Sequence, residues 1–110
     1  MRAIAVDTGR TEWLYEQRAA TMSLVATGGG LLFGGDTNGR FRAFDQDTGA
    51  VLWEVNLGSP VSGYPISFAA DGQQYIAVST GTSGNASINL RMTPELQPSM
   101  GNNLFVFALP

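Results

Sequence analysis

Nine acidic residues hold all the general-base and cation-binding chemistry this 110-residue sequence can offer: Asp7, Asp36, Asp45, Asp47, Asp71, Glu12, Glu16, Glu54 and Glu95. Histidine and cysteine are absent, which removes Ser-His-Asp triads, thiol catalysis, zinc sites and disulfides. The missing cysteines leave the redox compartment open. Each acid has a local role. Asp7 and Asp45 sit in turns, Asp36 and Asp71 begin hairpin turns, Asp47 is a loop charge, and Glu12, Glu16, Glu54 and Glu95 read as solvated, so no catalytic residue and no metal ligand is assigned among them. Gly28-Gly29-Gly30 has the glycine density of a phosphate cradle, but neither Gly-Lys-Ser/Thr nor a helix follows, and it reads as a turn. Asn85-Ala86-Ser87 matches a glycosylation sequon, which matters only in a eukaryotic secretory pathway. Trp13 and Trp53 could stack on a sugar or a base; packing between hairpins is the reading adopted for both.

The elements that position these residues are short strands. Ala43 to Trp53 reads as a strand, a tight turn and a second strand. Arg40-Phe41-Arg42-Ala43-Phe44 alternates polar and apolar, as a half-buried strand does. In Asp45 to Gly49 the Asp and Thr side chains can bond nearby amides, and Gly49 supplies positive φ. Val51, Trp53, Val55 and Leu57 then share one strand face. A shortened copy, Ala5-Val6-Asp7-Thr8-Gly9-Arg10-Thr11-Glu12-Trp13, lacks two residues between Asp and Thr. The two tryptophans lie 40 residues apart, the length of a four-stranded propeller blade. A second hairpin packed alongside gives an indole ring and its N–H somewhere to go.

Along the chain, Arg2–Val6 and Glu12–Gln17 are expected to pair, with Ala19–Ser23 as a connection. Leu24–Thr27 and Leu31–Gly35 flank the glycine turn, and Asp36-Thr37-Asn38-Gly39 carries the Asn-Gly hairpin signal. Tyr64–Phe68 and Gln73–Ser79 flank Asp71-Gly72, with Pro65 where no ladder bond is donated. Asn103–Leu109 is the last strand. Gly81 to Gly101, with Pro94 and Pro98, shows no clear periodicity and reads as a long loop, a feature more often functional than decorative. The expected fold class is all-β, with antiparallel strands and no helix longer than about two turns.

Ala43 to Trp53 resembles the tryptophan-docking motif of the pyrroloquinoline quinone (PQQ) dehydrogenases, the eight-bladed quinoprotein alcohol and sugar dehydrogenases. Gly63 to Phe68 and Gly72 to Val78 resemble that family's last blade. The 101–110 segment resembles the end of its propeller domain, where the protein's N-terminal strand closes the ring. The resemblance implies about two four-stranded blades of a larger β-propeller: outer strands of one blade at 1–17, a complete blade at 24–57 and inner strands of the last at 64–110. The chain is then expected to be a C-terminal fragment whose partners are the missing N-terminal blades. In the intact parent the resemblance implies PQQ over a Ca²⁺ ion, an Asp as general base on an alcohol or sugar hydroxyl, and Glu and Asn oxygens on the metal. Those groups belong to earlier blades and match no position here.

Two segments could still touch the cofactor. One is Thr21-Met22-Ser23, where family members often place a cofactor-contacting residue, so Met22 is a candidate. The other, Gly81-Thr82-Ser83-Gly84-Asn85, resembles the Gly-x-Gly-Gly-Trp of some quinoprotein methanol dehydrogenases, with Asn85 where their Trp meets the quinone. Asn can hydrogen-bond a cofactor carboxylate but cannot stack. Neither PQQ nor Ca²⁺ is expected to bind tightly to this chain alone.

Composition agrees with a small globular β protein: 44% hydrophobic, 14% charged and 14 glycines, about twice the average glycine frequency. A net charge of −3 gives no basic footprint and argues against nucleic acid or an anionic membrane as partner. Met1 to Asp7 is too short in its apolar run for a signal peptide, while the family resemblance implies a periplasmic location. A non-catalytic propeller scaffold of the outer-membrane assembly type and a self-contained small β protein are the alternatives. A free edge on the last strand is expected to favour self-association, with Ala3 to Val6 able to fill it within the chain or from a second copy.

Overall fold

A computed structural model describes residues 1–81, 84–99 and 101–109; the side chains of Met22 and Asn85 lie outside that description. Three antiparallel sheets follow one another along the chain. The first pairs β1 (Arg2–Ile4) with β2 (Thr11–Leu14). The second runs in sequence order through β3 (Thr21–Ala26), β4 (Leu31–Asp36), β5 (Arg40–Asp45) and β6 (Val51–Asn56). The third comprises β7 (Ile66–Ala70), β8 (Gln73–Thr80) and β9 (Asn103–Ala108). Turn chemistry explains the joins. At the β7–β8 hairpin Asp71 and Gly72 both take left-handed φ, 49° and 75°, the requirement of a tight two-residue turn with the twist of its strands.

Several elements differ from the sequence expectation. β1 stops at Ile4 because Ala5 and Gly9 already close the hairpin, Ala5 N–H donating to Arg10 O and Gly9 N–H to Ala5 O. β3 begins at Thr21 and so takes in part of the expected connection. The 81–101 excursion contains α1 (Gly84–Arg91), eight residues, about two turns. Ala86 is buried while Ile88 is 59% exposed; without a continuous apolar stripe, no helical period marks the sequence. Arg91 in its last turn suits the helix dipole. Among the described residues β1 pairs with β2 alone and β9 with β8 alone, so the opening strand does not fill the β9 edge within this chain.

The core lies between the second and third sheets, where Phe33, Phe41 and Ala43 meet Ile76 and Val78, closed by Leu57 and Val61. Phe41 stacks on Phe33 at 6.1 Å and on Phe107 at 6.0 Å. Gly35 is required by this packing: a Cβ there would stand 2.5 Å from the Val61 side chain. The alternation in Arg40 to Phe44 predicts a half-buried β5, which would leave one face to water. Instead Arg42 is 11% exposed, because the first sheet and its connection cover that side. Its guanidinium lies 5.6 Å from the Tyr15 ring centroid, and Tyr15 packs edge-on against Phe44 at 5.0 Å.

Candidate functional site

Strand direction sorts the connections onto two ends of the sheets. One end carries the turns at 6–9, 27–30, 45–50 and 71–72. At the other lie the 15–20 connection from β2 to β3, the β4–β5 turn at 37–39, the 57–65 connection from β6 to β7, and the 81–102 excursion.

The turn end is where the tryptophans act. Trp13 Nε1–H donates to Gln46 O at 2.9 Å, and the ring covers Gly49, whose absent Cβ would fall 2.5 Å from Trp13 Cδ2. The turn is held open for it. Asp45 accepts the amides of Asp47 and Thr48 at 2.9 and 3.0 Å, and those bonds, Thr48 first, hold its carboxyl below the usual range. The indole therefore joins the first sheet to the second by packing plus one directed bond. Trp53 meets the third sheet differently, edge-on to Phe107 at 5.2 Å, and packs edge-on to Phe41 of its own sheet at 6.1 Å. It stays 39% exposed, on the rim of an apolar cleft of about 420 Å³ that Leu31, Phe33, Phe107 and Leu109 also line.

The opposite end brings both candidate cofactor segments to one side of the sheets. The β3–β4 register shifts between Thr21 and Ser23, so the backbone bulges at Met22, a device often found beside functional sites. Asn85 is the second residue of α1. The surrounding backbone is stitched tightly. Ser23 Oγ donates to Gly63 O at 2.7 Å, Val61 N–H to Asp36 O at 3.1 Å and Gly81 N–H to Pro60 O at 2.8 Å. The excursion reaches back to the first connection through Arg18, which pairs with Glu95 and donates to Met92 O; the Arg18 hydrogen bond and charge hold Glu95 below the usual carboxylate range. Among the described residues, Thr37, Ser59 and Thr93 bury their hydroxyls at this end with no hydrogen-bond partner. Each costs roughly 1–3 kcal/mol, a penalty that Ala or Val in a purely structural loop would avoid.

Sequence reasoning missed the ion-pair node beside this end. Asp36, 1% exposed, accepts the amides of Asn38 and Arg40 and the Arg42 guanidinium at 2.8 Å. Arg42 also donates to Glu54 at 2.5 Å. Burial opposes the charge on Arg42, but the bonds to Asp36 and Glu54 outweigh it and raise its pKa above the ordinary value. Asp36 is therefore more than a turn-opener, and neither Glu54 nor Glu95 is simply solvated. The β5–β6 register, which sets Arg42 opposite Glu54, is the signal that could have found the pair.

Among the described residues no three of Asp, Glu, His and Cys converge, so this end builds no cage for a hard cation such as Ca²⁺. A tricarboxylate quinone needs cationic donors, and Arg18 and Arg42 are already engaged with carboxylates. No chemical step on a quinone is assigned to these residues.

Comparison with known proteins identifies what the arrangement belongs to. Residues 1–76 match the PQQ family model described as glucose/ethanol/alcohol dehydrogenase, beta-propeller domain. The quinoprotein ethanol dehydrogenase of Pseudomonas putida is 34% identical over 113 aligned positions, covering 100% of this chain and 18% of the relative. A lanthanide-dependent methanol dehydrogenase of Methylacidiphilum fumariolicum is 42% identical over 78 positions, covering 69% of this chain and 13% of its own length. The solved europium-containing methanol dehydrogenase superposes with a TM-score of 0.78 at 32% identity, over 92% of this chain and 21% of that one. The chain thus spans between 13% and 21% of the length of these three proteins.

Proposed function

The chain belongs to the PQQ-dependent dehydrogenase β-propeller family, and on that premise we propose that it forms the C-terminal blades of a periplasmic enzyme that oxidises alcohols, and is inactive alone. The observation that carries this reading is the Trp13 seat on Gly49 and Gln46. It is a blade-to-blade joint made between two copies of one repeat, with no other evident use in a free-standing small domain. PQQ and Ca²⁺ are held chiefly by blades outside these residues, and the general base comes from there as well. This chain contributes a wall at the connection end, through Met22 and Asn85. When bound, PQQ supplies the two-electron acceptor for alcohol oxidation; the residues here position and enclose it. The named relatives act on ethanol and methanol, which favours an alcohol over a sugar as substrate.

The test is reconstitution of the purified chain with PQQ and Ca²⁺, followed by assay of primary alcohols and aldoses with an artificial electron acceptor. No turnover above a protein-free control is expected. Turnover would overthrow the assignment of the base and metal cage to other blades. Within a chain carrying the preceding blades, Met22→Ala and Asn85→Ala should raise the PQQ concentration needed for half-reconstitution. An unchanged titration would remove both residues from the cofactor wall.

A further inference from the structure

We propose that, when this chain stands alone, the free edge of β9 pairs with the same edge of a second copy, antiparallel about a two-fold axis through Val106. Among the described residues β9 pairs with β8 alone. Leu109 N–H donates to Gln74 O at 2.9 Å, one step beyond the Tyr75–Ala108 pair. In an antiparallel ladder the amides of successive residues point to opposite sides. Asn103, Phe105 and Phe107 therefore face β8 as Leu109 does, and Leu104, Val106 and Ala108 offer their N–H and C=O groups outward.

The strand Asn-Leu-Phe-Val-Phe-Ala has no charge, proline or glycine, so it lacks the usual guards of an exposed edge. The other edges are poorer. β1 has three residues and carries Arg2, β2 has four and carries Glu12, β3 is broken by its bulge, β6 carries Glu54, and β7 starts directly after Pro65, which has no N–H to give.

Self-pairing centred on Val106 is complementary on both faces. On the outer face Val106 opposes itself and Leu104 opposes Ala108, burying part of side chains that are 52% and 70% exposed for Val106 and Leu104. On the inner face Phe105 opposes Phe107, extending the aromatic row already stacked on Phe41. No like charges meet. A two-fold contact consumes both edges and stops at the dimer.

The absence of cysteine makes the test clean, since any introduced thiol can only link two copies. Directly opposed residues of a hydrogen-bonded pair stand about 5.5 Å apart at Cα, within disulfide range. Val106→Cys should form a dimer under mild oxidation, Leu104→Cys alone should not, and a mixture of Leu104→Cys with Ala108→Cys should. By light scattering from low to high micromolar concentration, the unmodified chain should pass from monomer to dimer. Val106→Lys should weaken the dimer by about an order of magnitude with unchanged far-ultraviolet circular dichroism, and Val106→Thr should preserve it. A monomer throughout, mass growing beyond the dimer, or equal crosslinking of Val106→Cys and Leu104→Cys would each overturn the proposal. So would faster crosslinking between Ile4→Cys and Val106→Cys, which would make the opening strand of the second copy the occupant.

Discussion

Replacing Gly49 by Ala tests whether the tryptophan seat carries energy. Gly49 has φ +75°, and a Cβ there would enter the Trp13 ring, 2.5 Å from Cδ2. An alanine at left-handed φ costs about 1–2 kcal/mol by itself. Displacing the indole forfeits the 2.9 Å bond to Gln46 O, worth about 1 kcal/mol, and ring burial worth about 1–2 kcal/mol. The expected loss is about 3–5 kcal/mol. Gly9→Ala is the internal control: it has φ +70° with nothing within 4 Å of the new Cβ, so only the strain of about 1–2 kcal/mol should appear. The assay is urea unfolding followed by far-ultraviolet circular dichroism at low micromolar protein, where self-association is suppressed. A double-mutant cycle of Gly49→Ala with Trp13→Ala isolates the joint, because without the indole the Gly49 change should cost strain alone. A coupling of about 2–3 kcal/mol is expected. If the two changes add to within about 0.5 kcal/mol, or if Gly49→Ala costs no more than Gly9→Ala, the seat is a contact without energetic consequence and the joint argument fails.

Two further outcomes follow from the polar groups. Arg42→Met leaves Asp36, whose side chain is 2% exposed, without its cation and should cost about 3–5 kcal/mol. Glu54→Gln, at a partner 45% exposed, should cost under about 1 kcal/mol; equal shifts in urea midpoint would show that the pair is not organised around Asp36. Asp45 is held below the usual carboxylate range by the Thr48 and Asp47 amides. Its contribution is therefore fully present above the unfolded-state value of about 3.9 and is lost as pH falls through the depressed folded value. Asp45→Asn should flatten that acid limb of stability, and an Asp45 carboxyl shift titrating at the unfolded value would contradict the reading.

The turns and strands were legible in the sequence because each has a local cause. Asp71-Gly72 and Asp45 to Gly49 name their own conformations, and β9 shows its faces by alternation, whereas β8 buries Ile76, Ala77 and Val78 in succession. What escaped depends on partners distant in the chain. Alternation in Arg40 to Phe44 separates two faces but cannot tell water from a second interface, so the cover over Arg42 leaves no local trace in the sequence. α1 escaped because Ala86 is buried without an apolar stripe to announce the helix. At the candidate site the sequence supplied Met22 and Asn85 only through resemblance. The structure adds the bulge at Met22 and the common end of the sheets.

The two ends of these sheets answer to different demands, and the division explains why the family is readable here while the chemistry is not. The parts of the joint recur at a fixed period in the sequence, an indole and an Asp-to-Gly turn, although Trp53 meets Phe107 where Trp13 meets a glycine. Trp13 and Gly49 meet across that period, and the recurrence makes the pattern visible in 110 residues. A cofactor has one orientation, so each blade presents a different side chain to it, and no period can mark them. The connection end accordingly carries singular features: a bulge at Met22, a helix begun beside Asn85, an Arg18–Glu95 tie across the excursion, and buried hydroxyls without partners among the described residues. Substitutions at the turn end should therefore move stability and leave cofactor affinity in a complete propeller unchanged once folding is restored. Substitutions at Met22 and Asn85 should do the reverse. A Gly49→Ala chain that folds fully within a complete propeller and yet loses PQQ would show that the ends are coupled, and would refute the division.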